Sequence, residues 1–444
     1  MGAERAVLML PLNVVMMARI KGHVDAEEMH AAVEKLRARH ALLAVRVRIE
    51  ADDKACYTTR DVPALPFKAI ERRTDRQWFD TAVGELKASF PMDVGPLVRF
   101  TLLQSEDVSE LIVCGHHAIC DGISLAYLIR DILEHTANPS KPVERLPSPP
   151  AVDRETGPTP PSTGFLARAL IGLMNRAWRR KKLRFDFDSM EALHERYWER
   201  NAGARLLAWQ LSESETARLV ARCREEGVTV NSALWAAFLT VQHEVQGSGE
   251  RFRSRAGLAI STRDMLKLPV GESFGFYASS HKVHLKHYLD RPFWDAARKV
   301  HEQLKSSIAS ANPFRMLSAT LLDPTLLDSL YFSKYGLARN GMSERLLKKM
   351  MWEKVNFGFA ITNVGRVDVP VAYGNLELDA VYGPCVYSDV NEKTVGVITV
   401  GNKATFVMSY NETVVDTGTG KLLKDGVVAR IGDVDAYRVR HGAP

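Results

Sequence analysis

The sequence predicts an α/β chain in which mixed sheets and helices form two lobes. Three observations support this. The length, 444 residues, exceeds what one compact core organises, so two lobes around a shared interface are the default. Segments of helical period alternate with segments of strand period in both halves. Between the halves lies "NPSKPVERLPSPPAVDRETGPTPPST", residues 138–163, where repeated prolines remove backbone donors and block helix, so the stretch reads as a linker. The expected partition is 1–137, a linker over 138–163, and 164–444.

The elements follow in order. In "VDAEEMHAAVEKLRARHALL", Asp25 is a candidate N-cap and Glu28 completes a capping-box-like start. Met29, Val33 and Leu36 mark the apolar face of that helix. "AVRVRIE" alternates, with Val45, Val47 and Ile49 on one side and Arg46 and Arg48 on the other, as a half-buried strand does. "PLVRFTLLQ" and "ELIVCG" read as two more strands, the second apolar enough to be central. "ISLAYLIRDIL" returns to helical spacing.

After the linker, "FLARALIGLMNRAWRRKKLRF" (residues 165–185) places Leu166, Leu170, Leu173 and Ala177 at helical spacing. Arg168, Arg176, Arg179, Arg180, Lys181, Lys182 and Arg184 make it strongly positive, with no acid among them. The expectation is a surface helix with a solvated basic end. The alternative is a helix lying on an anionic membrane, or a docking patch for CoA or a carrier protein. Further on, "VTVNSALWAAFLTVQHEV" reads as a buried helix capped by Thr229 or Asn231. "VGVITVGNKATFVMSYN" reads as two strands around a Gly401-Asn402 turn, and the chain from Gly418 as a helix. There is no tandem repeat, but the shared mix of helix and strand suggests lobes of similar build.

Composition narrows the function classes. Apolar residues make up 46% and charged residues 25%, ordinary for a globular protein in water. A formal charge of +6 and a pI of about 8.9 fall short of a dedicated nucleic-acid binder. They suit an anionic partner such as a nucleotide-tagged co-substrate, an acidic carrier protein or an anionic membrane. Cys56, Cys114, Cys120, Cys223 and Cys385 are scattered without a CxxC pair, which fits reduced thiols in the cytoplasm better than a disulfide framework. "MGAERAVLML" lacks the apolar core of a signal peptide, and Ala6 stands where myristoylation expects Ser or Thr. No apolar run is long enough to span a bilayer. The expectation is a cytoplasmic monomer, with 165–185 as the one option for peripheral membrane contact.

Chemistry concentrates in "LIVCGHHAICDGISLAYLIRDIL", residues 111–133. Histidine takes and returns a proton near neutral pH, and His117 at a strand end is held on a rigid element facing a cleft between lobes. Asp121 is suited to hold the loop, by accepting backbone N–H bonds or pairing with an arginine. Gly122 permits a tight or left-handed turn. Adjacent histidines on an extended strand point to opposite faces, which disfavours a shared metal ion. A pair of structural histidines in a turn is the remaining alternative. His284 and His287 read as solvated strand positions, and Cys120 has no evident base to make it a nucleophile.

His116-His117-Ala118-Ile119-Cys120-Asp121-Gly122 matches the HHxxxDG signature of the chloramphenicol-acetyltransferase-like superfamily. That superfamily includes condensation domains of nonribosomal peptide synthetases, wax ester synthases, polyketide-associated acyltransferases and alcohol acetyltransferases. The context resembles the family in order. "ARIKGHVDAEEMHAAVEKLRARHALLAVRV" resembles its opening strand and helix, "FPMDVGPLVRFTLL" its GPLxR strand, and "GVTVNSALWAAFL" the helix opening its second lobe. "ISTRDMLKLPVGESFGFYAS" resembles the arginine and GxFxN passage, with Gly275-Phe276 kept and Ser279 in place of Asn. "NFGFAITNVGRV" resembles the SNxG strand of stand-alone acyltransferases.

The resemblance implies a two-lobed pseudo-dimer with an active-site tunnel between lobes. It implies His117 as the catalytic base, His116 and Asp121 as structural supports, and a pairing of Asp121 with Arg263. The implied reaction is acyl transfer from an acyl-CoA or acyl-carrier-protein thioester to an alcohol, without a bound cofactor, metal or covalent acyl-enzyme. Candidate oxyanion or substrate contacts are the Gly122 N–H, Thr362, Asn363 and Ser388, and "GPCVYSD" is expected to border the acceptor side. Two alternatives are amide formation on a carrier-bound amine and a non-catalytic thioester-binding module. An intact HHxxxDG argues against the second.

Overall fold

A computed structural model describes residues 1, 4–150, 152–153, 156–157, 165–247, 251–286, 288, 290–310, 321–350 and 357–432. The first lobe opens with a short α1 (Arg5–Leu8) and β1 (Asn13–Lys21). In β1 the run Val14–Ala18 is fully buried, so both faces of the strand are covered. In α2 (Ala26–Lys35) Asp25 accepts from the Glu27 and Glu28 N–H groups, a plain N-cap with no reciprocal bond from the Glu28 side chain among the described residues. β2 (Arg46–Ile49) pairs with β3 (Ala55–Thr58) in a small separate sheet; Val45 and Val47 are buried, while Ile49 is only half-buried. β4 (Phe67–Glu71), α3 (Gln77–Lys87), β5 (Val98–Gln104), β6 (Val108–His116) and α4 (Gly122–Ala137) complete the half.

The second half holds α5 (Phe165–Arg179), α6 (Phe187–Arg200), β7 (Ala204–Leu211), α7 (Glu213–Glu225), α8 (Val230–Gln246), β8 (Arg255–Ser261) and β9 (Ala278–His284). Then come α9 (Phe293–Ser310), α10 (Pro324–Lys334), α11 (Gly341–Met350), β10 (Phe359–Arg366), β11 (Ala372–Tyr373) and β12 (Leu376–Val386). β13 (Lys393–Val400), β14 (Lys403–Asn411) and α12 (Thr417–Gly432) close it. α8 is capped by the Thr229 side chain, not by Asn231, and is buried almost all round. The β13–β14 turn has Gly401 at φ 54° and Asn402 at φ 67°, the left-handed pair that a two-residue hairpin requires.

Two six-stranded sheets result, ordered β11-β12-β1-β6-β5-β4 and β7-β14-β13-β10-β8-β9. The expected boundary at 164 therefore does not partition the sheets: β11 and β12, from the second half, complete the first sheet. β12 pairs with β1 and leans on the second sheet, where Pro384 packs against Gly396 and the Thr405 and Ser409 hydroxyls donate to the Val381 and Val386 carbonyls. Any Cβ at position 396 would collide with the Pro384 carbonyl, so glycine is what lets the sheets meet there.

The stretch expected as a linker is a strap over its described part. Lys35 Nζ donates to the Pro139 and Lys141 carbonyls, each at 2.7 Å, and the Leu146 N–H to the Arg39 carbonyl at 3.1 Å. Prolines block helix and sheet, but they leave carbonyls free to be tied down by side chains, which is how this segment is held.

Candidate active site

The loop 117–121 leaves the end of β6 and enters α4, so its position is set by a central strand and by a helix N-terminus. Asp121 is the N-cap of α4, accepting from the Ser124 N–H at 2.7 Å. Its carboxylate also faces Arg263 Nη2 (3.2 Å to Oδ1) and accepts from the Tyr277 N–H at 3.2 Å. Arg263 donates further to the Gly271 and Ser273 carbonyls and to Ser124 Oγ. Ser124 Oγ in turn donates to the Gly275 carbonyl at 2.9 Å and accepts from the Gly275 N–H at 3.1 Å. One buried cluster thus fastens the motif loop of the first lobe to the 263–277 segment of the second.

The two histidines divide cleanly. His116, the last residue of β6, is buried; its Nε2 donates to the Leu10 carbonyl at 3.2 Å and its Nδ1 accepts from the Ala118 N–H at 3.2 Å. Both ring nitrogens are committed, and burial pushes the imidazole down to about 3, so it stays neutral. His117 is half-buried. Its Nδ1 donates to the Cys120 carbonyl at 2.7 Å, which fixes the tautomer and leaves Nε2 with its lone pair. Burial lowers its pKa, against the opposing effects of the Cys120 hydrogen bond and the Asp121 charge. The Phe276 ring stands edge-on to it, centroids 5.1 Å apart. His117 is therefore a neutral imidazole with one open acceptor nitrogen, held from two sides.

Gly122 plays a different part from the one expected. Its backbone is not left-handed; it is the first residue of α4, and a Cβ there would stand 2.9 Å from Val364 Cγ2 and 3.1 Å from Pro384 Cγ. Glycine is required because β10 and β12 of the other half approach the helix start. Cys120 is fully buried, its thiol pushed up well above the ordinary value by burial, and its carbonyl, not its sulfur, touches His117.

The remaining sites expected from sequence lie on other elements. Thr362 is half-buried on β10. The Asn363 carboxamide is engaged locally: Oδ1 accepts from the Gly365 N–H at 2.9 Å and Nδ2 donates to Asn231 Oδ1 at 3.3 Å. Ser388 lies just past β12. Val14 pairs with both Gly115 and Val386, so the ends of β6 and β12 are level with β1 between them. Two strand spacings, roughly 10 Å, separate those backbones. His284 is exposed on β9, and His287 lies outside the described residues.

Phe276 and Tyr277 lie in the passage that resembles GxFxN, but nothing in the sequence places them beside the motif loop, and Ser124 carries no motif signal of its own. Ser124 stands at the third helical position after an Asp N-cap, the one local cue that could have marked it. A cavity of about 110 Å³ lies beside the loop, bordered by Glu4, Tyr57, Ala118, Pro149, Phe276 and Tyr277 among others. The Tyr57 hydroxyl is used, donating to the Ala118 carbonyl at 2.8 Å. The Tyr277 hydroxyl is buried without a hydrogen-bond partner among the described residues.

A family model described as Condensation domain matches residues 12–150, the segment that carries the motif and its strap. Tyrocidine synthase 3 of Brevibacillus parabrevis is 30% identical over 114 residues, 25% of this chain and 2% of that protein's length. Among solved structures, the trichothecene 15-O-acetyltransferase from Fusarium sporotrichioides superposes with a TM-score of 0.64 at 11% identity, covering 97% of this chain and 94% of that one. Wax ester synthase/diacylglycerol acyltransferase from Marinobacter aquaeolei VT8 gives 0.57 at 15% identity, covering 99% and 98%.

Proposed function

We propose that this chain, which has the two-lobed chloramphenicol-acetyltransferase-like fold of condensation domains and acyltransferases, is an acyltransferase that moves an acyl group from a thioester to an alcohol. The donor is an acyl-CoA or an acyl carrier protein. The observation that carries the reading is the bond from His117 Nδ1 to the Cys120 carbonyl, which presents Nε2 as a base at the lobe interface. His117 accepts the proton of the attacking hydroxyl, a tetrahedral oxyanion forms at the thioester carbon, and the imidazolium returns the proton to the departing thiol. Alignment of two substrates and donors aimed at the oxyanion supply much of the rate. The Gly122 N–H, Thr362 and Ser388 are the candidates for those donors. Asn363 is a poor one, because its carboxamide is already engaged.

A second reading, amide formation on a carrier-bound amine, is favoured by the family-model match and by the likeness to tyrocidine synthase 3. One experiment separates the two. Purified protein is incubated with acyl-CoAs and a panel of alcohols and amines, thiol release is followed, and the product is weighed by mass spectrometry. An ester is expected, with thiol release lost in His117→Ala. Turnover by His117→Ala at the wild-type rate removes the mechanism, and an amide product removes the ester assignment.

A further inference from the structure

The amphipathic helix α5 is seated with its apolar face outward. At 100° per residue, Ile171 and Trp178 share one side, and Leu166, Ala169, Leu170, Leu173 and Ala177 share the opposite one. Trp178 is 1% exposed and donates through Nε1 to Thr325 Oγ1 at 2.8 Å. Asn175 donates to the Leu321 carbonyl and accepts from the Asp323 N–H, and Arg179 pairs with Asp323. These contacts pin the last turns of α5 to the start of α10. Among the described residues nothing covers the outward side: Phe165 is 85% exposed, Leu166 82%, Leu170 58% and Leu173 64%. Four of the thirteen large apolar side chains exposed among the described residues lie on this one helix. A surface helix held only by its own protein turns such residues inward, so this arrangement calls for an external apolar phase.

The charge around the arc says which phase. Arg168, Arg176, Arg180 and Lys181 are exposed and make no ion pair among the described residues, and Arg176 and Arg180 lie on the outward side itself. Lys182 and Arg184, by contrast, are held by Asp53. No acidic residue occurs between Phe165 and Phe185. We propose that α5 lies in the interface of an anionic membrane, its arc of about 18 Å dipping among acyl chains and its free cations meeting anionic headgroups. A second copy of the chain is a poorer occupant, because an isologous pairing would set the same cations against each other.

The test is co-sedimentation of the full chain with vesicles of phosphatidylglycerol and phosphatidylcholine, beside phosphatidylcholine alone. Binding is expected only to the anionic vesicles at low salt, falling as ionic strength rises. Arg176→Glu with Arg180→Glu should weaken it by more than about twentyfold. Leu166→Ser with Leu170→Ser should weaken it by about tenfold or more per leucine. These side chains point away from the protein, so circular dichroism and the unfolding midpoint should match wild type and separate lost docking from lost folding. Absence of binding to anionic vesicles at low salt overturns the proposal, as does binding that both double variants leave unchanged. Self-association abolished by the leucine variants, without vesicle binding, assigns the face to a second copy and overturns it equally.

Discussion

Asp121→Ala removes the centre of the inter-lobe cluster, and its cost can be assembled from the contacts. Asp121 and Arg263 side chains are each 7% exposed, so solvent screens the pair little. Taking away one partner of a buried pair costs about 3–5 kcal/mol. Arg263 keeps three other acceptors, at Gly271, Ser273 and Ser124, which puts this pair at the low end. Losing the cap on the Ser124 N–H adds about 1 kcal/mol. Orphaning the buried Tyr277 N–H adds about 1 kcal/mol or more. The total is about 5 kcal/mol, to be read as a drop in the guanidinium midpoint followed by tryptophan fluorescence. Asp121→Asn keeps an oxygen for the cap and loses only the charge, so about 2 kcal/mol is expected. A cycle of Asp121→Asn with Arg263→Met should show coupling of about 1–3 kcal/mol. Because the Cys120 carbonyl that orients His117 directly precedes Asp121, kcat/KM should fall about a hundredfold in Asp121→Ala even where the protein remains folded. A cycle additive within about 0.5 kcal/mol, or an Asp121→Ala protein as stable as wild type, refutes the clamp.

Other outcomes follow from single contacts. The acid limb of kcat/KM should titrate below the usual imidazole value of about 6.5, with rate rising as pH rises, because burial lowers the His117 pKa; a limb at or above about pH 7 contradicts this. His116 is held at about 3, so the unfolded chain takes up its proton first on acidification. Its contribution to stability is complete above about pH 6.5 and is lost as pH falls toward 3, by about 1.4 kcal/mol per unit, a slope that His116→Gln should flatten in denaturation at stepped pH. Gly122→Ala should cost about 1–3 kcal/mol through its clash with Val364, part of which Val364→Ala restores. Tyr277→Phe removes a buried hydroxyl that has no partner among the described residues, so Tm should hold or rise, while KM for a hydroxylated acceptor rises if that hydroxyl serves the substrate.

Local rules made most elements legible. Asp25, Asp121 and Thr229 each cap the helix that follows, and Gly401-Asn402 turns the hairpin that its flanking strands call for. The motif loop was legible for the same reason, since strand, turn and cap are contiguous. Pairing across hundreds of residues left no such trace. In "LELDAVYGPCV" only Leu376–Ala380 alternates, the strand is buried throughout from Ala380 to Cys385, and nothing in it says that its partner is β1. Gly396 carries no turn signature and the Asp-Gly signature at Gly122 hides the real reason, because each is small for the sake of a neighbour supplied by a distant segment. That side chains tie down the described part of the proline-rich segment was not legible, because composition reports what backbone cannot form and is silent on what side chains, such as Lys35, will hold.

The way His117 is held bears on how the proposed reaction would run. In a Ser-His-Asp arrangement a carboxylate receives the Nδ1–H and stabilises the imidazolium. Here the Nδ1–H meets a neutral backbone carbonyl, and the nearest carboxylate, Asp121, is occupied by a helix cap, an arginine and the Tyr277 N–H. The imidazolium is therefore stabilised less, and burial weakens the base further. A weak base is a disadvantage if the proton must be stored on the enzyme through a long-lived intermediate. It is an advantage when the same proton has to be handed within one tetrahedral collapse to a thiolate, whose conjugate acid lies about two units above imidazole. For the proposed reaction this loop geometry suits direct transfer between two bound substrates better than a covalent acyl-enzyme, and it gives Asp121 a role through position: its charge ties the loop to Arg263, and the Cys120 carbonyl sets the tautomer.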